Sequence, residues 1–420
     1  MTGFLILFIY IALFSLGAFA VTRYRASREV HDYTSLKTVT FGDESAVKPD
    51  RIASILSVVV IFLIWGAFTG SVITPIHVPG PFVGNTSFTY TATDANGDTD
   101  DAEVQIVVYP ADEDAAEPEI SEGDGFAKND AVAVQAWRSD LIRAVGNDEG
   151  DEVRVTAING NAVEPGDTVN IDNGTVNVTA RGSLNFQPDR GFQMEPIWMP
   201  SPEAVVKRFV EISSQGYQNF TLWEHLGWSL IRVVTGFIAG AIVGIPLGYA
   251  MGLSGWFRGW FDPIVEFMRP VPPLALIPLV IIWFGIWETG KIVLLFLAAL
   301  WIMTIAARAG VSGVNITKVH AAYSLGATKS QILRHVIVPN SLPEIFTGAR
   351  VAMGVCWGTV VAAELVAAQK GAGMMIIAAS KFQLTDIVLM GIILIGLIGY
   401  GIDILMRMAE KWLVPWKGQS

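Results

Sequence analysis

The spacing of polar and apolar positions changes character twice along this chain. Seven stretches, roughly 3–21, 52–74, 227–252, 264–286, 290–309, 345–367 and 385–406, run almost without charge. Each approaches the length of about 20 residues that crosses roughly 30 Å of hydrocarbon, so they predict seven membrane-spanning helices. Between the second and third stretches the apolar residues alternate with polar ones, the period of a half-buried strand. Strands are expected at 88–92, 102–108, 131–136, 152–158, 168–171, 174–179 and 183–187, with Asn96-Gly97 forming a tight hairpin turn between the first two. Many short strands joined by turns predict an antiparallel β-sandwich set between two membrane helices.

Composition agrees with this division. The chain is 52% hydrophobic and 16% charged, with a mean hydropathy of +0.46 and a net charge of −11. Residues 76–200 hold 23 acidic and 6 basic side chains, a net of −17, which leaves 16 acidic and 22 basic elsewhere, a net of +6. An acidic soluble part on a basic membrane part excludes nucleic acid as the main partner. The lone cysteine, Cys356, excludes an internal disulfide, and five scattered histidines offer no metal centre. The basic residues fix the orientation: Arg23, Arg25, Arg28, Lys37, Lys48 and Arg51 in one loop, and Lys318, Lys329 and Arg334 in another, read as cytoplasmic. Seven spans then place residues 76–200 outside and Arg407, Lys411 and Lys417 inside. The first apolar segment, followed at once by arginines, reads as a retained anchor.

Several residues in the spans invite a role. Gly236, Gly240, Gly244, Gly248 and Gly252 recur every four positions, so one helix face is bare enough for close approach, within the subunit or across a homodimer. Glu364 and Arg232 are charges inside apolar segments, where burial is costly. Glu364 suits a substrate ammonium or a hydrogen bond to a neighbouring helix end; Arg232 suits a substrate anion or snorkelling to the interface. Trp283 and Trp357 are candidates to line a path or to act as packing anchors. In the external part, Asp94, Asn96, Asp98 and Asp100 form either a plain hairpin turn or a set of oxygen ligands for calcium. The segment from Gly285 to Lys291 has the spacing of a phosphate loop, but Ile292 stands where a Ser or Thr should hold magnesium and no strand precedes it.

After the fifth span comes HAAYSLGATKSQILRHVIVP, from His320 to Pro339, predicted as a short helix over 319–325, a turn at Gly326 and a second helix over 328–335. His320, Ala321, Ala322, Gly326, Ala327, Val336, Val338 and Pro339 resemble the cytoplasmic "EAA" loop of ABC importer permeases, with His320 where that family most often has Glu. Segments 199–212, 229–254, 269–286 and 357–376 are similar to the taurine, aliphatic sulfonate, nitrate and bicarbonate permeases within that class. Residues 82–192 resemble cadherin-like or VCBS-type repeats of bacterial surface proteins in rotated order, which implies an immunoglobulin-like fold whose two ends lie side by side.

These resemblances imply an all-α polytopic membrane protein with an inserted immunoglobulin-like β-sandwich. The expected organisation is an extra helix and basic loop (1–51), a first core helix (52–81), the periplasmic insert (82–192), an amphipathic segment (193–225), the permease core (226–410) with its coupling loop (310–344), and a cytoplasmic tail (411–420). The implied function is the inner-membrane permease subunit of an ATP-driven importer of taurine or a related sulfonate, with nitrate, bicarbonate or another small anion as the alternative solute. The implied partners are a second copy of the chain, two ATPase subunits carrying ATP and magnesium, a periplasmic substrate-binding protein and the lipid bilayer. The chain itself is then not an enzyme. A rival of another class, suggested by the insert, is a membrane-anchored adhesion or sensory protein.

Overall fold

A computed structural model of the chain describes residues 2–28, 51–111, 113, 118, 120, 123–150 and 152–416. Most of the expected basic loop 22–51, with Lys37 and Lys48, and the tail residue Lys417 lie outside these residues. The chain divides into two compact units, Met1–Glu203 and Ala204–Ser420.

The first unit opens with two helices, α1 (Thr2–Arg28) and α2 (Arg51–Thr69), whose contact buries Ile6, Tyr10, Ala67 and Val78. Nine strands follow: β1 (Gly84–Thr93), β2 (Thr99–Tyr109), β3 (Asp130–Gln135), β4 (Asp140–Ile142), β5 (Arg154–Ile158), β6 (Asn161–Ala162), β7 (Thr168–Ile171), β8 (Gly174–Val178) and β9 (Leu184–Pro188). They form one sheet in the order β3-β2-β1-β5-β6 and another in the order β4-β9-β8-β7. Alternation along β2, β8 and β9 sends every second side chain inward. Phe88, Tyr90, Val104, Ile106 and Ile158 of the first sheet therefore share a core with Val176, Leu184 and Phe186 of the second.

All seven expected strands are present; β4 and β6, with three and two residues, were too short to show a period. The expected all-antiparallel pairing needs one correction. β3 runs parallel to β2, from Val104 opposite Asp130 to Tyr109 opposite Gln135, because residues 110–129 are long enough to bring the chain back in the same direction. The two ends of the strand region are joined: Phe82 N–H donates to the Asp189 carbonyl (2.9 Å) and Phe192 N–H to the Pro79 carbonyl (2.7 Å).

The acidic turn at 94–100 forms the hairpin that was one of its two readings. Asp94 accepts from the backbone N–H groups of Asn96 and Asp98, both at 2.9 Å, and so closes the hairpin turn; Asp100 accepts from Ala127 N–H at 2.9 Å. Among the described residues no group of three or more His, Cys, Asp or Glu side chains is placed to hold a metal ion.

The second unit is helical: α3 (Pro202–Gln215), α4 (Leu222–Leu253), α5 (Gly255–Met268), α6 (Ile277–Phe284), α7 (Glu288–Ser312), α8 (Ile316–Ser324), α9 (Lys329–Ile332), α10 (Val338–Ala367), α11 (Ala372–Lys381) and α12 (Thr385–Leu413). Among the described residues five helices are long and apolar enough to cross a membrane: Ile52–Thr69, Leu222–Leu253, Glu288–Ser312, Lys329–Leu365 and Thr385–Leu413. The expected straight span over 264–286 is instead α5 and α6 bent by 94°. Pro270, Pro272 and Pro273 carry no backbone N–H, and Pro272, just before Pro273, is extended (φ −66°, ψ 135°), so the helix that ends at Met268 with Arg269 as its cap cannot run on into α6. The expected span over 3–21 lies inside α1, where Leu5–Val21 is an apolar stretch of the described residues.

The glycine face of α4 meets α7 within the chain. A Cβ on Gly240 would lie 2.6 Å from the Ala299 Cβ and 2.8 Å from the Phe296 carbonyl oxygen; one on Gly244 would lie 2.8 Å from the Leu300 oxygen. Gly236, Gly248 and Gly252 abut Leu295, Thr304 with Ala307, and Val311. In lipid, where tails solvate leucine as well as protein does, backbone approach of this kind replaces the hydrophobic effect as the packing force.

Candidate functional site

The helix–turn–helix at 316–337 is built from local signals. Asn315 caps α8 by accepting from Thr317 N–H at 2.9 Å. The helix ends in a Schellman turn: Gly326 N–H donates to the Tyr323 carbonyl (2.9 Å) and Ala327 N–H to the Ala322 carbonyl (3.1 Å), with Gly326 at φ +81°. Thr328 starts α9 with a capping box in which its hydroxyl accepts from Gln331 N–H and the Gln331 side chain accepts from Thr328 N–H. Residues 333–337 widen to a π-helical turn that feeds α10, where Pro339 lacks the N–H an α-helix would donate four residues back. The predicted order is kept, with α8 starting three residues earlier and α9 shorter than expected. Leu325, at 88% exposure, and the exposed Tyr323 and Ile316 give the pair an uncovered apolar surface.

The two buried charges meet. Arg232 and Glu364 are each 1% exposed, and Arg232 Nη1 donates to Glu364 Oε1 at 2.6 Å. Arg232 also grips Glu288 with two parallel bonds, Nε to Oε2 at 2.5 Å and Nη2 to Oε1 at 2.7 Å, and Lys291 Nζ completes the chain to Glu288 at 3.1 Å. Glu364 further accepts from the Ser229 hydroxyl (2.8 Å) and from Gly373 N–H (2.9 Å) at the start of α11. His225 Nε2 lies 3.0 Å from the Tyr217 carbonyl and Nδ1 accepts from Gly371 N–H at 3.1 Å. Burying such charges is tolerable only when each is paired and hydrogen-bonded, and here both are.

Arg232, read as snorkelling to the interface or meeting a substrate anion, is buried rather than snorkelled, and four of its donor bonds go to protein. Glu364 makes the helix-end hydrogen bond that was one of its two readings. Trp357 is buried, its indole N–H donating to the Ile395 carbonyl at 3.0 Å, whereas Trp283 is exposed on α6. Lys291, in the phosphate-loop look-alike, is held by Glu288, and the segment opens α7 rather than cradling a phosphate.

Ser229, His225 and Glu288 were not singled out from the sequence. A usable signal existed: His225, Ser229 and Arg232 precede Gly236 at helical spacing, so the polar patch and the glycine face are one continuous stripe of α4. Its polar end takes the α10–α11 junction and its bare end takes α7.

Several long apolar helices, a buried charge cluster and an exposed helix pair between two of them are the features of a polytopic membrane protein. Residues 226–414 match the binding-protein-dependent transport system inner membrane component family, and the chain belongs to it. It is 46% identical over 227 residues to the taurine transport system permease protein TauC of Escherichia coli (strain K12), covering 54% of this chain and 82% of that protein. It is 40% identical over 218 residues to the putative aliphatic sulfonates transport permease protein SsuC of the same organism, covering 52% and 81%. It is 31% identical over 200 residues to the bicarbonate transport system permease protein CmpB of Synechococcus elongatus, covering 47% and 72%. The expected family is thus the one found, and permease subunits of this family are not themselves enzymes.

Proposed function

We propose that this chain is the inner-membrane permease subunit of an ATP-driven importer of taurine or a related sulfonate, working as a homodimer. The observation that carries the reading is the 46% identity to the taurine permease over 82% of its length. The weaker likeness to a bicarbonate permease keeps a small inorganic anion as the second solute class. Two ATPase subunits dock on the exposed faces of α8 and α9, against His320, Ala321, Ala322, Gly326 and Ala327, and their ATP-driven closure passes through Val336, Val338 and Pro339 into α10. The left-handed turn at Gly326 sets the angle of that lever, and the uncovered Leu325 and Tyr323 support a docking role. A periplasmic binding protein delivers the solute, and nucleotide-biased rocking of the helices alternates access. The strand region 82–192 is an immunoglobulin-like, cadherin-type domain on the periplasmic side, and its bonded ends support its insertion as one body.

The test is reconstitution. The chain co-purified with its ATPase into proteoliposomes should import radiolabelled taurine only with ATP and binding protein present. Absence of any co-purifying ATPase would favour the adhesion or sensory reading instead.

A further inference from the structure

With four of the five Arg232 donor bonds going to two carboxylates and a carbonyl, the importer still needs a cation to meet an anionic solute. The residue beside this cluster that remains open is Lys370. Its backbone carbonyl is held by Arg232 Nη1 at 2.8 Å, which fixes the loop, while its Nζ sits 3.7 Å from the centre of the Trp228 ring and 5.5 Å from that of Phe220. Arg232 lies 5.8 Å from the same Trp228 ring, so the indole carries two cations. Among the described residues no carboxylate lies within ion-pair distance of Lys370. Glu224, one turn before Trp228 on α4, is engaged in the N-cap at Thr221, with bonds of 2.8 and 2.9 Å.

We propose that Lys370 is the anion-recognising residue of the solute path, parked on Trp228 until the anionic head of the solute arrives. This rests on the importer reading above and deepens it by naming the group that meets the solute's negative end. An ammonium is a compact point charge with three donors on a flexible stem, suited to a sulfonate, whose three oxygens share one charge without a preferred planar face. A π-face attracts the cation but accepts no strong hydrogen bond, so moving from Trp228 to an anion gives up a weak contact and gains charge-assisted bonds. Arg232 plays the opposite part: its guanidinium fork is locked in place by Glu288 and Glu364, and it positions the loop that carries Lys370.

The experiment uses the full complex in proteoliposomes, with taurine-loaded binding protein, and compares wild type with Lys370→Met and Lys370→Arg. The expected result is at least a tenfold loss of taurine uptake in Lys370→Met, recovery to within about threefold in Lys370→Arg, and ATPase stimulation by loaded binding protein unchanged in both. Unaltered uptake by Lys370→Met overturns the proposal. So does loss of both uptake and ATPase stimulation without rescue by Lys370→Arg, since that pattern marks a structural lysine. A wild-type complex that imports no sulfonate takes down the importer reading itself, an outcome separable from either.

Discussion

Gly326 stands at φ +81°, and a Cβ added there would meet no atom within 4 Å. Space is therefore not what requires glycine; the left-handed backbone is, at about 1–2 kcal/mol for an ordinary side chain. Gly326→Asn should keep coupled uptake because asparagine tolerates this conformation, whereas Gly326→Val should lose most of it while the protein still inserts. Uptake by the two variants, normalised to membrane content, separates the cases, and equal uptake would remove the turn from the coupling argument. A second residue-scale prediction concerns the strand region. Asp130 is pushed up to about 7, first by burial and then by the charge of Asp148, which burial also raises; Tyr90, Asn147, Lys128 and Asp100 complete the surroundings. One carboxylate oxygen on each aspartate is buried without a partner. The folded state thus holds a proton that the unfolded chain releases near pH 4, so this pair stabilises the fold at low pH and loses that contribution as pH rises through about 7. Hydrogen exchange around Tyr90, corrected for its intrinsic pH dependence, should show stability falling between pH 4.5 and 7.5 relative to Asp130→Asn. A constant difference between the two proteins would contradict it.

At the scale of elements, α4 carries the argument. Its bare face lets α7 approach until a Cβ on Gly240 would be 2.6 Å from Ala299. Gly240→Ala should force the pair apart at a cost of about 1–3 kcal/mol. Gly227 lies on the same helix with nothing within 4 Å of its would-be Cβ, so Gly227→Ala should be neutral or stabilising by up to about 1 kcal/mol through helix propensity. The thermal unfolding midpoint in detergent should fall for Gly240→Ala and hold or rise for Gly227→Ala, and an equal fall in both would mean that the glycines serve something other than α4–α7 contact. Much of this element was readable beforehand: the four-residue recurrence gave the face, though not whether its partner was α7 or another copy of the chain. The break between α5 and α6 was also written locally, in Pro270, Pro272 and Pro273, but hydropathy averages over the prolines and returns one apolar stretch.

At the scale of the molecule, the two compact units predict separable behaviour. Because residues 79–82 and 189–192 are already hydrogen-bonded to each other, joining residue 81 to residue 190 by a short Gly-Ser link should leave the helical unit folded and ATP-driven uptake present. Loss of uptake with normal membrane insertion would give the strand region a part in transport, such as contact with the binding protein. The sequence alone determined the alternation that makes strands, most of the apolar lengths that make spans and the Gly326 turn, because each follows from local composition, sterics and hydrogen bonding. Only the tertiary structure decided that β3 lies parallel to β2, that the glycine face belongs to α7, and that Glu364 answers Arg232 from 132 residues away. Those choices depend on which faces meet, and in lipid a helix face turned to protein is as apolar as one turned to the membrane, so hydropathy carries no record of the partner.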